Sequence, residues 1–439
     1  MFFIFLNNDE MNYNKMKVII STGQGRLHLI QSAIALKNIG IQIEVITGWI
    51  PSKLFSENLI NLIGMFVGRR GNLSEGLKKR SPKEIDRNDL KSCWKSEFII
   101  HMLFTTASIK MFSRSTAAIM GWKLFGRESK KFINNADVFH VRSGAGQGGA
   151  IAKARSLGMK IVIDHSIAHP YEMQRQLAKA YESTLIVQDK HKTLQPEDNF
   201  WNLVLQDCLE ADLLLVNSDY VKWSFEKEGY PSEKIKVAQL GVNPEFNQVK
   251  QDYKINDTIR LVFTGGFGIR KGASLIIDAL TQLKEKQFLF TIDVIGSIMS
   301  DIFIPDWMIK SENIRFHGHL SQDKMLPILL NSDIYIFPTY VEGAAQSVKE
   351  AMAVGLPVIT TFQSGAPITH KENGWLIQDH SSEDLADAII KLANDCDKLE
   401  YIGRNASSTI EKGHTWPLYA STVSDIYNNC CNHTYYDPI

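Results

Sequence analysis

The chain has 439 residues, of which 44% are hydrophobic and 22% charged, as is typical of a globular protein with about two or three domains. Lysine plus arginine and aspartate plus glutamate each number 48, so the net charge is zero. This balance excludes a global attraction to nucleic acid, and an anionic ligand must be held by local charge or by backbone amides. The five cysteines are scattered and lack metal-type spacing, which fits free thiols in a reducing compartment.

The N-terminus begins with an apolar run of six residues, which is too short for the core of a signal peptide or for a membrane span. The first predicted strand starts at Lys17, so Met1, Met11 and Met16 are all compatible translation starts. The sequence contains no transmembrane segment. We therefore expect a cytoplasmic protein, with the inner face of the membrane as an alternative place of contact.

Short apolar runs alternate with helical patterns along most of the chain. The predicted strands lie at 17–20, 43–46, 136–140, 161–163 and 211–216, and then at 259–264, 290–295, 314–317, 333–337 and 357–361. This alternation predicts an α/β protein with two doubly wound, Rossmann-like domains. Segment 243–258 is polar and aperiodic and is interpreted as the linker between them. Ligands of such sheets bind beyond the carboxyl ends of the strands, so we expect the site in a cleft between the domains.

The region 57–131 has a different composition, rich in Met, Phe and Ile and flanked by basic residues. One interpretation is a surface for peripheral membrane contact or for a lipid acceptor. The other, which we favour slightly, is a core-facing helical insertion with solvated basic ends.

Two glutamates stand out in the loop and helix that follow the strand at 333–337. Glu342 precedes the predicted helix and Glu350 lies inside it. Eight residues are just over two helical turns, so both side chains can point toward one face. Free amides near Gly343, Ala344 and Ala345 can bind an anion such as a diphosphate. Taken alone, the pair is equally explained by a glutamate that stabilises the helix dipole and a solvated one.

A glycine-rich turn in the same domain also favours phosphate binding. The strand at 259–264 leads into Gly265, Gly266 and, further on, the adjacent cations Arg270 and Lys271. Such a turn offers amides and positive charge, with Arg270 able to grip oxygens bidentately and Lys271 acting as a point charge. A basic surface turn is the alternative. The shared sheet edge with the two glutamates favours the phosphate site.

Together these motifs resemble the retaining glycosyltransferases of family 4, also called glycosyl transferases group 1, which have the GT-B fold. The resemblance is carried by Glu342, Gly343, Glu350, Ala351, Met352, Ala353, Gly355, Pro357 and Val358, by Gly265, Lys271 and Gly272, and by segments 211–218, 241–246 and 373–377. It implies transfer of a sugar from a nucleotide-sugar donor, with retention of anomeric configuration. The implied acceptor is a lipid-linked or polysaccharide intermediate.

The resemblance also assigns roles to residues. It implies that Arg270 and Lys271 hold the donor diphosphate, that Glu350 binds the ribose and that Glu342 and His165 face the donor sugar. The implied ligand contacts further include Gly23, Gly25, Gly265, Gly266, Gly343, Ala344 and Ala345. It implies an acceptor-side domain at 15–245, a donor-binding domain at 246–416, and a C-terminal helix at 417–435 that packs back on the first domain.

No His, Cys or Asp spacing indicates a metal site, so we expect no metal and no cofactor beyond a UDP- or GDP-linked substrate. Two departures from the family pattern keep alternatives open: Gly266 replaces its phosphate-loop arginine, and Ala344-Ala345 replace its Phe-Gly. The alternatives are a non-catalytic GT-B partner subunit and a sugar-nucleotide epimerase of GT-B fold.

Overall fold

The computed structural model describes residues 16–23, 28–50, 82–108, 113–187 and 194–432, with side chains of 106–108 left out. The predicted site residue Gly25 lies outside these ranges. So do 57–81 and 109–112 of the proposed membrane-contact region and the last three residues of the predicted helix at 417–435.

The described residues form two sheets. The first has the strand order β3-β2-β1-β4-β5-β6-β7 and the second has the order β10-β9-β8-β11-β12-β13. The strands are β1 (Lys17–Ser21), β2 (Gln42–Thr47), β3 (Leu90–Ser92), β4 (Val138–Arg142), β5 (Lys160–His165), β6 (Leu213–Val216), β7 (Ile235–Val237), β8 (Ile259–Thr264), β9 (Phe290–Ile295), β10 (Ile314–Gly318), β11 (Ile334–Phe337), β12 (Val358–Thr360) and β13 (Trp375–Leu376).

Helices connect these strands. They are α1 (Leu29–Asn38), α2 (Trp94–Ser108), α3 (Arg114–Ser129), α4 (Ala150–Ser156), α5 (Pro170–Ala180), α6 (Asn199–Glu210), α7 (Asp219–Glu226), α8 (Ala273–Glu285), α9 (Asp306–Ile309), α10 (Gln322–Asn331), α11 (Gln346–Ala353), α12 (Ser382–Ala393), α13 (Cys396–Gly413) and α14 (Trp416–Asn432).

The strands pair in parallel from β1 to β5 and throughout the second sheet. Parallel strands covered on both faces need continuous apolar runs, and β8 buries five of its six residues. The prediction of two parallel-sheet α/β domains is confirmed. The chain has a two-domain, Rossmann-like GT-B fold.

Three strands were not predicted from the sequence, namely β3, β7 and β13. Each has only two or three residues, and most of these are partly exposed. They therefore lack the apolar run that marks the longer strands.

Contacts divide the chain into two compact units. The first unit contains the described residues within Met1–Asp164, Asp198–Leu214 and Ala420–Ile439, and the second contains those within His165–Glu197 and Leu215–Tyr419. Segment 243–258, interpreted above as a linker, packs Phe246 and Tyr253 into the core of the second unit.

A glycine-rich turn in the first unit, between β4 and α4, is filled by a carboxylate from its own chain. Asp207 on α6 is fully buried, and one of its oxygens accepts the amides of Gly144 and Gly146 at 2.6 and 2.8 Å. Its other oxygen accepts from Gln147 Nε2 at 2.7 Å. Burial raises the pKa of Asp207 to about 7, against the lowering effect of these three donors. These two amides are therefore occupied by Asp207.

The helical part of the region at 57–131 has two faces. On α2, Ser96, Glu97 and Ile100 are buried, whereas Trp94 and Phe98 are 45% and 63% exposed. No helix among the described residues has the length and apolar character required to cross a bilayer.

Candidate functional site

The glycine-rich loop after β8 is held in place by its own backbone. Phe267 is fully buried, donates its amide to Ser297 O and accepts the amide of Met299, both at 2.9 Å. A short 3₁₀ turn at Ile269–Lys271 follows and leads through Gly272 into α8. The loop therefore presents Arg270 and Lys271 from a rigid base.

This loop is packed against the one that follows β11. Gly272 has a φ of +77°, and a Cβ there would overlap the carbonyl oxygen of Pro338, so only glycine fits. The carbonyl of Arg270 accepts the amide of Tyr340 at 3.0 Å and the hydroxyl of Thr339 at 3.1 Å. Both loops thus form one surface at the carboxyl edge of the second sheet.

The predicted cations and the first predicted glutamate meet on this surface. Oε1 of Glu342 lies 2.7 Å from Arg270 Nη1 and 3.0 Å from Lys271 Nζ. Arg270 also donates to Val341 O at 2.8 Å, and the ammonium of Lys271 lies 4.9 Å from the centre of the Phe337 ring. All three charged side chains keep partial exposure, so the cluster can exchange one of its partners for a ligand.

Gly343 lies in the most crowded part of the second loop. A Cβ on this residue would overlap the carbonyl oxygen of Ser166, next to the predicted site residue His165. The hydroxyl of Ser218 donates to Gly343 O and accepts the amide of Val221 in the first turn of α7. The loop therefore depends on Gly343 for space and on Ser218 for its position.

The amides of the loop are only partly available for an anion. The amide of Glu342 donates to Gln363 O at 3.0 Å, and that of Ala345 donates to Ser364 O at 2.8 Å. Ala345 is the N-cap of α11 and has no side-chain oxygen with which to cap the first-turn amides. Gly343 and Ala344 are therefore better placed than Ala345 to offer a backbone amide.

Helix α11 is anchored by two side-chain donors to consecutive carbonyls. Gln346 Nε2 donates to Gly241 O and Lys349 Nζ donates to Leu240 O, each at 2.7 Å. Lys349 is fully buried, and burial lowers its pKa to about 7. The helix that carries Glu350 is thus fixed in rotation.

Glu350 keeps an unused carboxylate. Its side chain makes no hydrogen bond or ion pair with any described residue, and it is only partly exposed. Burial raises its pKa to about 7, with Glu245 adding to the rise and Lys349 opposing it. A half-buried carboxylate of this kind can accept hydroxyl donors from a ligand.

His165 is the last residue of β5 and is 2% exposed, with its ring edge-on to Phe225 at 4.9 Å. Its neighbour Ser166 lies against Gly343 of the loop that follows β11. In the first unit, Gly23 has a φ of +67° and packs against Trp122. At Gly266 a Cβ would meet Met299 Sδ at 3.1 Å.

Sequence reasoning did not assign roles to Ser218, Gln346 or Lys349. Ser218 ends the motif at 211–218, so its position was marked, but its contact with Gly343 spans 125 residues of sequence. Within the described part of the chain, no group of three or more His, Cys, Asp or Glu side chains could hold a metal ion. The expectation of a metal-free site stays a prediction.

Comparisons with known proteins bear on this site. Residues 245–409, which include Arg270, Lys271, Glu342, Lys349 and Glu350, match the family model of glycosyl transferases group 1. The chain is 25% identical to the amylovoran biosynthesis glycosyltransferase AmsK of Erwinia amylovora, over 81% of this chain and 84% of that protein. It is also 25% identical to the capsular polysaccharide biosynthesis glycosyltransferase CapM of Staphylococcus aureus, over 42% of this chain and 50% of that protein.

Among solved structures, Anabaena HepE in complex with UDP and glucose superposes with a TM-score of 0.57 at 15% identity, over 94% of this chain and 99% of that chain. This similarity shows a shared fold and nothing about activity. The sequence matches support the assignment of the chain to the superfamily of group 1 glycosyltransferases.

Replacing Gly343 with alanine tests the packing of the loop that follows β11. The added methyl group must displace Ser166 or the loop itself, and overpacking of this kind costs about 1–3 kcal/mol. We expect Gly343→Ala to lower the free energy of unfolding measured in urea by that amount.

Gly413→Ala is the matched control, since a Cβ at the end of α13 meets nothing within 4 Å. It should leave the free energy of unfolding unchanged or slightly higher. Equal stability of Gly343→Ala and the wild type would contradict the packing described here.

Proposed function

We propose that this chain is a glycosyltransferase that moves a sugar from a UDP- or GDP-linked donor to a glycan or lipid-linked acceptor. The observation that carries the proposal is the pairing of Arg270 and Lys271 with one oxygen of Glu342 at the carboxyl edge of the second sheet. The group 1 match over the same residues supports it. The biosynthetic roles in the names of AmsK and CapM favour a polysaccharide product.

In this proposal the donor diphosphate replaces Glu342 as the partner of both cations. Arginine binds phosphate oxygens through a planar fork and lysine as a point charge, so the two together can neutralise charge on the departing nucleotide. Fixed charges that stabilise a leaving group often make the greatest single contribution to the rate of an enzymatic reaction. No metal is needed for this step.

Glu342 then becomes free to accept hydroxyl groups of the donor sugar. His165 is proposed to act on the same sugar, supported by the contact of its neighbour Ser166 with Gly343. Retention of anomeric configuration is proposed from the family resemblance. It is tested by the anomeric coupling constant of the product in a proton NMR spectrum.

Glu350 is proposed to bind the two ribose hydroxyls of the nucleotide. Its carboxylate has no partner among the described residues, and the anchors at Gln346 and Lys349 fix the helix that presents it. Two hydroxyl donors to one carboxylate form a charge-assisted pair of hydrogen bonds.

Lys271→Ala and Glu350→Ala test the proposed donor site. We expect the first to lower kcat by about 10²–10³-fold, as for loss of one preorganised charge-stabilising group. The second should raise the donor KM by roughly 10–100-fold, since a hydrogen bond to a charged group contributes about 1.5–3 kcal/mol. The measurement is transfer from labelled UDP- and GDP-sugars to a panel of glycan and lipid-linked acceptors.

Lys310→Ala is the matched control, because Lys310 is exposed on the same unit and pairs only with Asp306 one helical turn away. Full activity of both site variants would show the site to be wrongly assigned. Conversion of the sugar nucleotide without any acceptor would favour the epimerase alternative. No binding of either nucleotide would favour the partner-subunit alternative.

The pH dependence of donor binding follows from Glu350. Its pKa is raised to about 7, so the carboxyl is mostly protonated at pH 6 and mostly ionised at pH 8. A protonated carboxyl has lost part of its acceptor capacity. We therefore expect the donor KM to fall as pH rises from about 6 to about 8.

Glu350→Gln cannot ionise and should show a higher donor KM with a flatter profile over the same range. The other titratable groups near Glu350 include Lys349 on the same helix, Glu245 and Tyr335. A profile that stays equally steep in Glu350→Gln would assign the pH dependence to one of them or to the donor.

Peripheral contact with an anionic membrane is a further proposal, supported by the exposed face of α2. Trp94, Phe98 and Ile99 are 45%, 63% and 41% exposed there, and Lys95 on the same helix is an exposed basic residue. Aromatic and basic side chains on one helical surface suit the interface of a bilayer.

Phe98→Asp should reduce the fraction bound to phosphatidylglycerol vesicles by about tenfold, because burial of a phenyl group contributes roughly 1.5–3 kcal/mol. Leu209→Asp is the control, since Leu209 is 66% exposed on α6 in the same unit. Equal sedimentation of both variants and the wild type with vesicles would contradict the proposal.

A further inference from the structure

A second charged cluster lies at the carboxyl edge of the first sheet. Arg142 is the last residue of β4 and pairs in register with Asp164 of β5. Side chains at paired positions of neighbouring parallel strands lie on the same face of the sheet, so these two charges share one face. His28 joins them from the residue before α1, with its Nε2 at 2.9 Å from Asp164 Oδ2.

The guanidinium of Arg142 rests on an aromatic ring. It lies 5.2 Å from the centre of the Trp122 ring on α3, and Trp122 is itself buried and packed against Gly23. Arg142 stays partly exposed. Burial lowers its pKa and the charge of Asp164 opposes this, so the guanidinium is positively charged at neutral pH.

The guanidinium of Arg142 makes no hydrogen bond to any residue in the described ranges, and no ion pair with Asp164. The carboxylate of Asp164 is instead shared by His28 and by His140, whose Nε2 lies at 3.6 Å. Other partly buried arginines of this chain behave differently: Arg260 forms a two-pronged pair with Asp333 at 2.9 and 2.6 Å. The five N–H donors of the Arg142 guanidinium are therefore available to a ligand that supplies acceptor oxygens.

We propose that Arg142 binds an oxyanion of the acceptor, a carboxylate or a phosphate carried next to the sugar hydroxyls. The proposal rests on the proposed function, since it takes the first unit as the acceptor side. Two parallel oxygens of an oxyanion match the guanidinium fork and carry the opposite charge, whereas the hydroxyls of a neutral sugar carry none. The position of Arg142 at the end of β4 also supports the proposal, because ligands of parallel α/β sheets bind at the carboxyl ends of the strands.

The test compares three small fragments by saturation-transfer NMR titration of the full chain. Methyl β-D-glucuronide carries a carboxylate, α-D-glucose 1-phosphate carries a phosphate, and methyl β-D-glucoside is neutral. At least one anionic fragment should bind at least tenfold more tightly than the glucoside, and the preferred fragment identifies the source of the oxyanion. Arg142→Met should remove that preference, and Arg142→Lys should keep part of it.

Lys271→Ala separates this site from the donor site and should keep the preference for the anionic fragment. Equal affinity for charged and neutral fragments, or an unchanged preference in Arg142→Met, would overturn the proposal. If Arg142→Met fails to fold, an unchanged preference in Arg142→Lys decides against the guanidinium fork. Failure of the proposed function is recognised separately, because then neither UDP nor GDP raises the Tm of the wild type.

Discussion

One carboxylate oxygen of Glu342 contacts two cations and so links two loops of the second unit. Arg270 and Lys271 come from the loop after β8, and Glu342 comes from the loop after β11, so the charge cluster joins two strand ends. A backbone group also joins the two loops, since the carbonyl of Arg270 accepts two hydrogen bonds from the loop after β11. Under the proposed function, this intramolecular carboxylate holds both cations in place until the donor diphosphate replaces it.

The same unit contains an energetically unfavourable feature, a fully buried lysine beside a half-buried glutamate. Among the described residues, the Lys349 amine donates only to the carbonyl of Leu240, at 2.7 Å. Burying an amine with a single acceptor costs free energy. In return, α11 is fixed at two points by Lys349 and Gln346. The carboxylate of Glu350 is thereby presented without a hydrogen bond of its own that a ligand would have to break.

Much of the fold could be predicted because its strands are buried on both faces. The runs at 259–264 and 290–295 were predicted with the observed bounds, because each is an apolar stretch rich in β-branched residues that ends at a glycine. The short strands β3, β7 and β13 were missed since pairing with a neighbour, and not composition, makes them strands.

The grouping of Arg270, Lys271 and Glu342 could also be predicted from the sequence, because all three lie in short motifs dense in family-like residues. The long-range contacts that position their loops could not be predicted. Ser218 reaches Gly343 and Lys349 reaches Leu240 across more than a hundred residues of sequence. The availability of an amide depends on such contacts too, as the bond from Ala345 to Ser364 shows. Likewise, the filling of the turn at Gly144 and Gly146 by Asp207 needed the folded chain.

A crystal structure of the chain with UDP or GDP bound, whichever raises its Tm, tests the central claim most directly. We expect phosphate oxygens within hydrogen-bonding distance of the Arg270 guanidinium and Lys271 Nζ, with Glu342 released from both cations. A nucleotide bound elsewhere, with both cations still on Glu342 Oε1, would contradict it.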